Sequence, residues 1–150
     1  MKTMNSNLLA QANLALREFP NCRFQNRSGY VLRDGGDLTI VTTEQSATEA
    51  LLAARKLERE CVEAKIISIH TDSLMDRNLL QEACQTGMVF VIDSPDMTKR
   101  FRNMMETAFE HEISSPLHSI RLSAGDTANG LAKMYEKGAG EIYEQIVNAA

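Results

Sequence analysis

Residues 29–42 decide the fold, and they read Gly29-Tyr30-Val31-Leu32-Arg33-Asp34-Gly35-Gly36-Asp37-Leu38-Thr39-Ile40-Val41-Thr42. Two extended runs, rich in β-branched and apolar residues, flank a short Asp-Gly-Gly stretch, which is typical of two strands joined by a turn. Because glycine adopts positive φ without strain, the pattern predicts a tight turn and an antiparallel hairpin.

Strands and helices alternate along the residues that follow. Apolar runs predict further strands at residues 65–70, 88–92 and 117–122. Apolar residues three and four positions apart predict helices at 46–60, 76–87 and 96–112, and two shorter helices around 128–135 and 140–148. Continuous apolar strands separated by helices are typical of a mainly parallel sheet covered on both faces, an open α/β sandwich.

The first 28 residues differ in composition from the rest, since they are rich in Asn, Gln and Ser. Ser6 fits the cap of a short helix that Pro20 ends, and residues 21–28 read as a polar linker. We therefore predict an N-terminal helix and linker arm at residues 1–28, followed by one domain at residues 29–150.

Composition restricts the partners of the chain. Its 150 residues include 16 Lys and Arg against 20 Asp and Glu, a net charge of −4. A nucleic-acid surface needs an excess of basic residues, so no nucleic-acid partner is expected. No apolar run approaches the roughly 18 residues of a membrane span. Three cysteines without C-x-x-C spacing read as reduced thiols, which favours a cytoplasmic location.

Polar loops follow three of the predicted strands, where sheets of this class bind ligands. The candidate ligand or interface residues in these loops are Thr43, Ser46, His70, Asp72, Asp93 and Ser94. A histidine beside carboxylates fits a general base or a ligand. The structural alternatives are helix capping by Thr43 or Ser46 and a hydrogen bond from His70 to its own loop.

Other sequence features give no catalytic site. No nucleophile–base pair, nucleotide-binding glycine motif or metal-ligand histidine spacing is present, so we predict no catalytic residue and no metal site. The basic residues Lys99, Arg100 and Arg102 fit a solvated helix face or an interface with an acidic partner.

The segment at residues 29–41 resembles the G-x-x-x-V-L-R-E-G-x-D-V-T-I-V stretch that opens the C-terminal domain of transketolases and the last domain of 2-oxoacid dehydrogenase beta subunits. Four more stretches resemble this family in the same order, at residues 49–57, 64–71, 76–83 and 86–91. The resemblance covers about residues 29–148. It implies a three-layer α/β/α sandwich with about five mostly parallel strands and an antiparallel first strand.

The resemblance also implies a role. In complete enzymes of this family, thiamine diphosphate and its Mg²⁺ lie between two preceding domains, which this sequence does not contain. We therefore expect no cofactor in this chain, with thiamine diphosphate and Mg²⁺ only in partner subunits. The leading hypothesis is a stand-alone, non-catalytic assembly, dimerisation or regulatory subunit, either a homodimer or bound to thiamine-enzyme subunits.

Two alternatives stay open. The chain fits one piece of a split thiamine-dependent transketolase, a ketol transferase active only with other subunits. It also fits a small sensor of anionic metabolites that uses the polar loop residues. In each case, the sequence gives no reason to expect catalysis by this chain alone.

Overall fold

The computed structural model describes residues 23–24, 29–70, 77–93, 98–112, 117–123 and 131–149. The strands are β1 (Arg23–Phe24), β2 (Gly29–Arg33), β3 (Leu38–Thr43), β4 (Ala64–Ile69), β5 (Val89–Asp93) and β6 (His118–Arg121). The helices are α1 (Ala47–Glu58), α2 (Arg77–Cys84), α3 (Lys99–Glu112) and α4 (Leu131–Ala149), and a 3₁₀ turn at Glu44–Ser46 precedes α1. The helix predicted to start at Ser6 lies outside the described residues.

The strands form one sheet in the order β1-β2-β4-β3-β5-β6. β2 is antiparallel to both of its neighbours, whereas β4, β3, β5 and β6 are parallel to one another. This confirms the predicted mostly parallel sheet whose first main strand is antiparallel. The short strand β1 adds a sixth member from within the predicted linker arm.

Helices cover both faces of the sheet. Since successive residues of a strand point to opposite faces, each buried strand contributes side chains to two cores. Ile40 and Ile66 join a core with α1 and α4, while Val41 and Ile67 join a second core with α2 and α3. Each central strand is buried along its whole length. The result is the predicted three-layer α/β/α sandwich.

The hairpin prediction was wrong. β2 pairs with β4, with Val31 opposite Ile67, and β4 therefore separates β2 from β3. β3 instead aligns in parallel with β4 along its whole length, from Leu38 opposite Ala64 to Thr43 opposite Ile69. This arrangement gives the apolar strand β3 a partner on each side, since β5 pairs along its other edge.

The prediction of two short helices near the end of the chain was also wrong, because α4 continues through Gly138 and Gly140. A glycine inside a helix costs about 1 kcal/mol relative to alanine. Packing outweighs that cost here, since Ala139, Ile142 and Ile146 are almost fully buried in the core shared with α1. The helix therefore stays continuous.

Side chains of α4 cover the outer edge of β6. The Gln145 amide accepts a hydrogen bond from the backbone N–H of Arg121 at 3.0 Å and donates one to its carbonyl at 2.7 Å. The Glu141 carboxylate accepts from the backbone N–H of Ser123 at 2.7 Å. At Arg121, the backbone groups that an edge strand ordinarily leaves open are thus bonded within the chain.

Cys61 adopts a left-handed conformation just after α1, with φ of 63°. This conformation costs a non-glycine residue on the order of 1 kcal/mol, and the side chain is exposed. We expect Cys61→Gly to raise the free energy of unfolding by about 0.5–1 kcal/mol, measured by urea denaturation under reducing conditions. Cys61→Ala is the control, since it removes the thiol but keeps the strain. An equal gain in both variants would assign the effect to the thiol.

Candidate functional site at the carboxyl edge of the sheet

The carboxyl ends of the four parallel strands meet at one edge of the sheet. Thr43 at the end of β3 is level with Ile69 at the end of β4, and Asp93 at the end of β5 is level with Arg121 on β6. The chain passes from β3 to β4 on one side and then to β5 on the other side of β3. The topological switch point, where ligands bind in this class of fold, therefore lies between the ends of β3 and β5.

Thr43 and Ser46 lie at this switch point but inside the protein. Their exposed fractions are 0% and 2%. They occupy the cap positions of the 3₁₀ turn and of α1, yet neither side chain makes a capping hydrogen bond. The alternative prediction of side-chain capping was therefore wrong. Burial of both residues also leaves neither hydroxyl open to a ligand from solvent.

His70 and Asp93 are held apart. The His70 ring lies against Tyr30, with ring centroids 6.3 Å apart, and it follows β4. Asp93 ends β5, and β3 lies between these two strands, so two strand spacings of roughly 4.8 Å each separate them. This distance prevents a direct hydrogen bond between the two side chains, so Asp93 is not the carboxylate partner of His70. Asp72 and Ser94 lie outside the described residues.

Arg102 is the partner that the sequence did not assign to Asp93. Its guanidinium lies 3.0 Å from an Asp93 carboxylate oxygen, and both side chains are mostly buried. Lys99 and Arg100 are exposed, as expected for a solvated face. The prediction of one solvated basic cluster was therefore wrong for Arg102. The ion pair fixes α3 against the end of β5.

Glu49, on the first turn of α1, is a buried carboxylic acid that the sequence analysis missed. Only 8% of the residue is exposed, and its Oε1 atom is buried with no hydrogen-bond partner among the described residues. Burial raises the pKa of this carboxyl to about 7. The one available signal was the Ser46-x-x-Glu49 spacing, which resembles a capping box. The structure does not use that box, because the caps of α1 carry no side-chain bond.

Glu49 packs against α4. An added Cβ on Gly138 would lie 2.7 Å from the Glu49 Cγ, so the glycine provides the space that this side chain fills. Tyr135, one turn earlier on α4, is 5% exposed. Burial, and secondarily the Glu49 charge, raise the pKa of the Tyr135 phenol. The start of α1 and the first half of α4 thus form a close contact around an acid.

A separate cavity of about 330 Å³ opens at the other end of β6. Its walls include His118, which stacks on Phe90 with ring centroids 4.9 Å apart, and the amide residues Gln145 and Asn148. No candidate residue predicted from the sequence lines this cavity. It therefore lies apart from the switch point.

The described side chains do not fit a metal-bound diphosphate. Within the described ranges, no three His, Cys, Asp or Glu side chains come together as a metal ligand set. At the switch point, Glu44 is exposed and Asp93 is paired with Arg102, so the edge presents carboxylates where a diphosphate needs donors.

Among the helices that the structure describes, none has the length and apolar character needed to cross a membrane.

Comparison with known proteins supports the resemblance seen in the sequence. The family model for the transketolase C-terminal domain matches residues 28–98. The chain is 27% identical over 131 residues to the 6-deoxy-6-sulfo-D-fructose transketolase subunit of Clostridium sp. (strain MSTE9), covering 87% of this chain and 41% of that protein. It is 38% identical over 64 residues to the acetoin:2,6-dichlorophenolindophenol oxidoreductase subunit beta of Cupriavidus necator, covering 42% of this chain and 19% of that protein.

Solved structures give the same answer for the fold. A split-gene transketolase, described as an inactive beta4 tetramer, superposes with a TM-score of 0.61 and 26% identity, covering 87% of this chain and 43% of that one. Transketolase from Campylobacter jejuni has the same fold at 12% identity, with a TM-score of 0.52 over 81% of this chain and 18% of that one.

The fold and the comparisons together support a relation of the chain to the transketolase C-terminal domain family, whose model matches residues 28–98. Within that family, its relatives include subunits of split or multi-subunit enzymes, and the chain is a transketolase-related piece. The chain spans 41% of the length of the Clostridium subunit and 43% of the length of the split-gene transketolase chain.

Proposed function

We propose that the chain is a non-catalytic assembly subunit of a split transketolase-type transferase. The observation that carries this proposal is the match to a transketolase subunit over 87% of the chain. The match to a split-gene transketolase over the same share of the chain supports it further. At the switch point Thr43 and Ser46 are buried and Asp93 is paired with Arg102, which agrees with a packing role at this edge.

In this proposal the partner subunits hold thiamine diphosphate and Mg²⁺, and this chain holds neither. The complex transfers a two-carbon ketol unit between sugars, and this chain contributes stability and assembly rather than reacting groups. The name of the Clostridium relative makes sulfo-sugars a substrate class to test. The free thiols of Cys61 and Cys84 are compatible with the cytoplasmic location that we propose.

Self-association is part of the same proposal. The split-gene relative is described as an inactive beta4 tetramer, which supports assembly of this chain without activity when its partner is absent. A symmetric dimer is the commonest closed assembly of a single chain. We therefore expect the purified chain to form at least a homodimer.

The test is reconstitution with a defined partner. The full chain is purified alone and together with a polypeptide from the same genome that carries thiamine diphosphate-binding domains. Size-exclusion chromatography with light scattering gives the mass of each assembly. Ketol transfer from fructose 6-phosphate and from 6-deoxy-6-sulfo-D-fructose is then measured with thiamine diphosphate and Mg²⁺. Gly36→Ala serves as the matched control variant, because it changes an exposed loop residue that has open space around it.

We expect no turnover from the chain alone and at least tenfold more turnover from the complex than from the partner alone. Separate elution of the two polypeptides, with partner activity unchanged by the chain, would contradict the proposal. Turnover by this chain alone would contradict it as well.

A thermal-shift screen separates the assembly role from the metabolite sensor. The chain is heated with phosphorylated sugars, 2-oxoacids and thiamine diphosphate, each as a separate probe. A ligand present at 100 times its dissociation constant stabilises a protein by about 2.7 kcal/mol. We expect no shift from any of these compounds. A reproducible shift from a sugar phosphate or a 2-oxoacid would instead favour the sensor.

A further inference from the structure

Glu49 lies where α4 crosses the beginning of α1. The helix α4 runs antiparallel to β6, since Glu141 bonds Ser123 and Gln145 bonds Arg121 one turn later. Its first half therefore extends beyond the carboxyl edge of the sheet. There Gly138 leaves the space for Glu49, whose side chain lies directly against the backbone of α4. The Glu49 side chain thus lies in the contact between the two helices.

The environment of the carboxyl favours its neutral form. Its Oε1 atom is buried and accepts no hydrogen bond within the part of the chain that the structure describes. Burial raises the pKa of the carboxyl more than the backbone hydrogen bond at Glu49 lowers it. Ionising this incompletely bonded, buried carboxyl is therefore unfavourable, whereas its protonated form is tolerated. The contact between α1 and α4 is therefore compatible with the protonated Glu49 carboxyl and strained by the ionised one.

Among the residues that the structure describes, few other ionisable groups face this carboxyl. On α4 the facing group is Tyr135, whose pKa is raised above its ordinary value of 10, so it stays neutral below that pH. β3 carries no ionisable residue, and the Lys65 ammonium of β4 donates to the Glu82 carbonyl and the Gln85 side chain. The other charged residues of these elements are exposed or bonded elsewhere; they are Glu44, Arg55, Lys56, Glu58, Lys133, Glu136, Lys137, Glu141 and Glu144.

We propose that Glu49 and Gly138 form a proton-operated contact, in which α4 closes on α1 while the Glu49 carboxyl is protonated and its first half loosens when the carboxyl ionises. Loosening exposes the α1 surface that residues 133–140 of α4 cover. The device acts locally, because residues 141–146 of α4 remain bonded to β6 and packed in the core.

The direction of the pH effect follows from the two states of the contact. In the open form the carboxyl titrates near its ordinary pKa of 4.5, and in the closed form near 7. The open form therefore loses its proton first as the pH rises. The equilibrium constant for opening increases between about pH 4.5 and 7 and levels off above that range.

Hydrogen exchange measured by mass spectrometry tests this device. Exchange in α4 is followed from pH 5 to pH 8 and corrected for the intrinsic rate at each pH. In the wild-type chain we expect protection of amides 133–140 to fall about tenfold or more across this range, and protection in β3 and β4 to hold constant. Glu49→Gln keeps the shape but cannot ionise, so its protection at 133–140 is expected to be independent of pH.

The matched control is Glu44→Gln, which removes an exposed carboxylate from the turn just before α1. It is expected to keep the pH dependence of the wild-type chain. Tyr135→Phe is expected to keep it too, because the phenol does not titrate in this range. An equal fall in wild type and Glu49→Gln, or constant protection in the wild type, would overturn the proposal.

Discussion

Gly35→Ala is expected to lower the free energy of unfolding by about 2–3 kcal/mol, while Gly36→Ala, one residue later, leaves it unchanged or slightly higher. A Cβ on Gly35 would lie 2.5 Å from the Ala64 carbonyl carbon and 2.6 Å from the Glu63 carbonyl oxygen. Both are backbone atoms at the start of β4, so neither can rotate away, and forced packing of this kind costs about 1–3 kcal/mol. Nothing lies within 4 Å of a Cβ on Gly36.

The measurement is urea denaturation of both variants, followed by circular dichroism and analysed with a common slope. The close approach also holds two hydrogen bonds between Asp37 and Glu63, at 3.0 Å and 2.7 Å. We therefore expect exchange of the Glu63 amide to accelerate in Gly35→Ala and to stay slow in Gly36→Ala. Equal stability of the two variants would show that the loop can move off β4 without loss.

Arg33→Ala is expected to lower the free energy of unfolding by about 3 kcal/mol. Arg33 is 5% exposed although it is the last residue of β2. Its guanidinium donates to the Ala64 carbonyl at 2.7 Å and to the Glu63 carboxylate at 2.9 Å, and lies 3.5 Å from Glu58. Both glutamates are half-exposed and rehydrate when the arginine is removed. The buried Ala64 carbonyl cannot rehydrate in this way. An unsatisfied buried group costs about 1–3 kcal/mol, and the loss of packing adds to that cost.

Two further variants separate the hydrogen-bond geometry from the charge. Arg33→Lys keeps the positive charge but loses the planar fork, so we expect it to recover less than half of the loss. Arg55→Ala, on the exposed side of α1, is expected to change stability by less than about 0.5 kcal/mol. The comparison is made in low salt and in 0.5 M NaCl. Complete loss of the Arg33 effect in high salt would indicate that the surface glutamates, rather than Ala64, account for it.

Periodicity predicted the layers of this protein but not the neighbours within its sheet. The apolar runs at β3, β4 and β5 identified buried strands because a strand covered on both faces is apolar along its whole length. The pairing of β2 with β4 depends on residues far apart in the chain, and local pattern carries no information about it. The Asp-Gly-Gly stretch was misread for the same reason. A glycine is needed at position 35 because the backbone of β4 passes close to it, and not because the chain makes a tight turn there.

The site was less predictable than the fold. Position at the end of a strand correctly placed Thr43 and Asp93 at one edge, since parallel strands all end there. Their burial and pairing depend on α3 and on the turn before α1, and neither is visible in the loop sequences. Glu49 was missed because a glutamate in a helix ordinarily faces water, and the space it fills is made by Gly138, nearly ninety residues later. The role of the chain in assembly stays a prediction.

The bonds from α4 to the outer edge of β6 have a consequence for solubility. A free parallel edge offers unsatisfied N–H and C=O groups to any extended peptide, and such edges promote aggregation. Here a foreign strand would have to displace the Gln145 amide from both backbone groups of Arg121 before it could pair there. The two bonds thereby oppose strand addition beside Arg121. The Gln145 side chain therefore occupies the backbone groups through which a further strand would join the sheet beside Arg121.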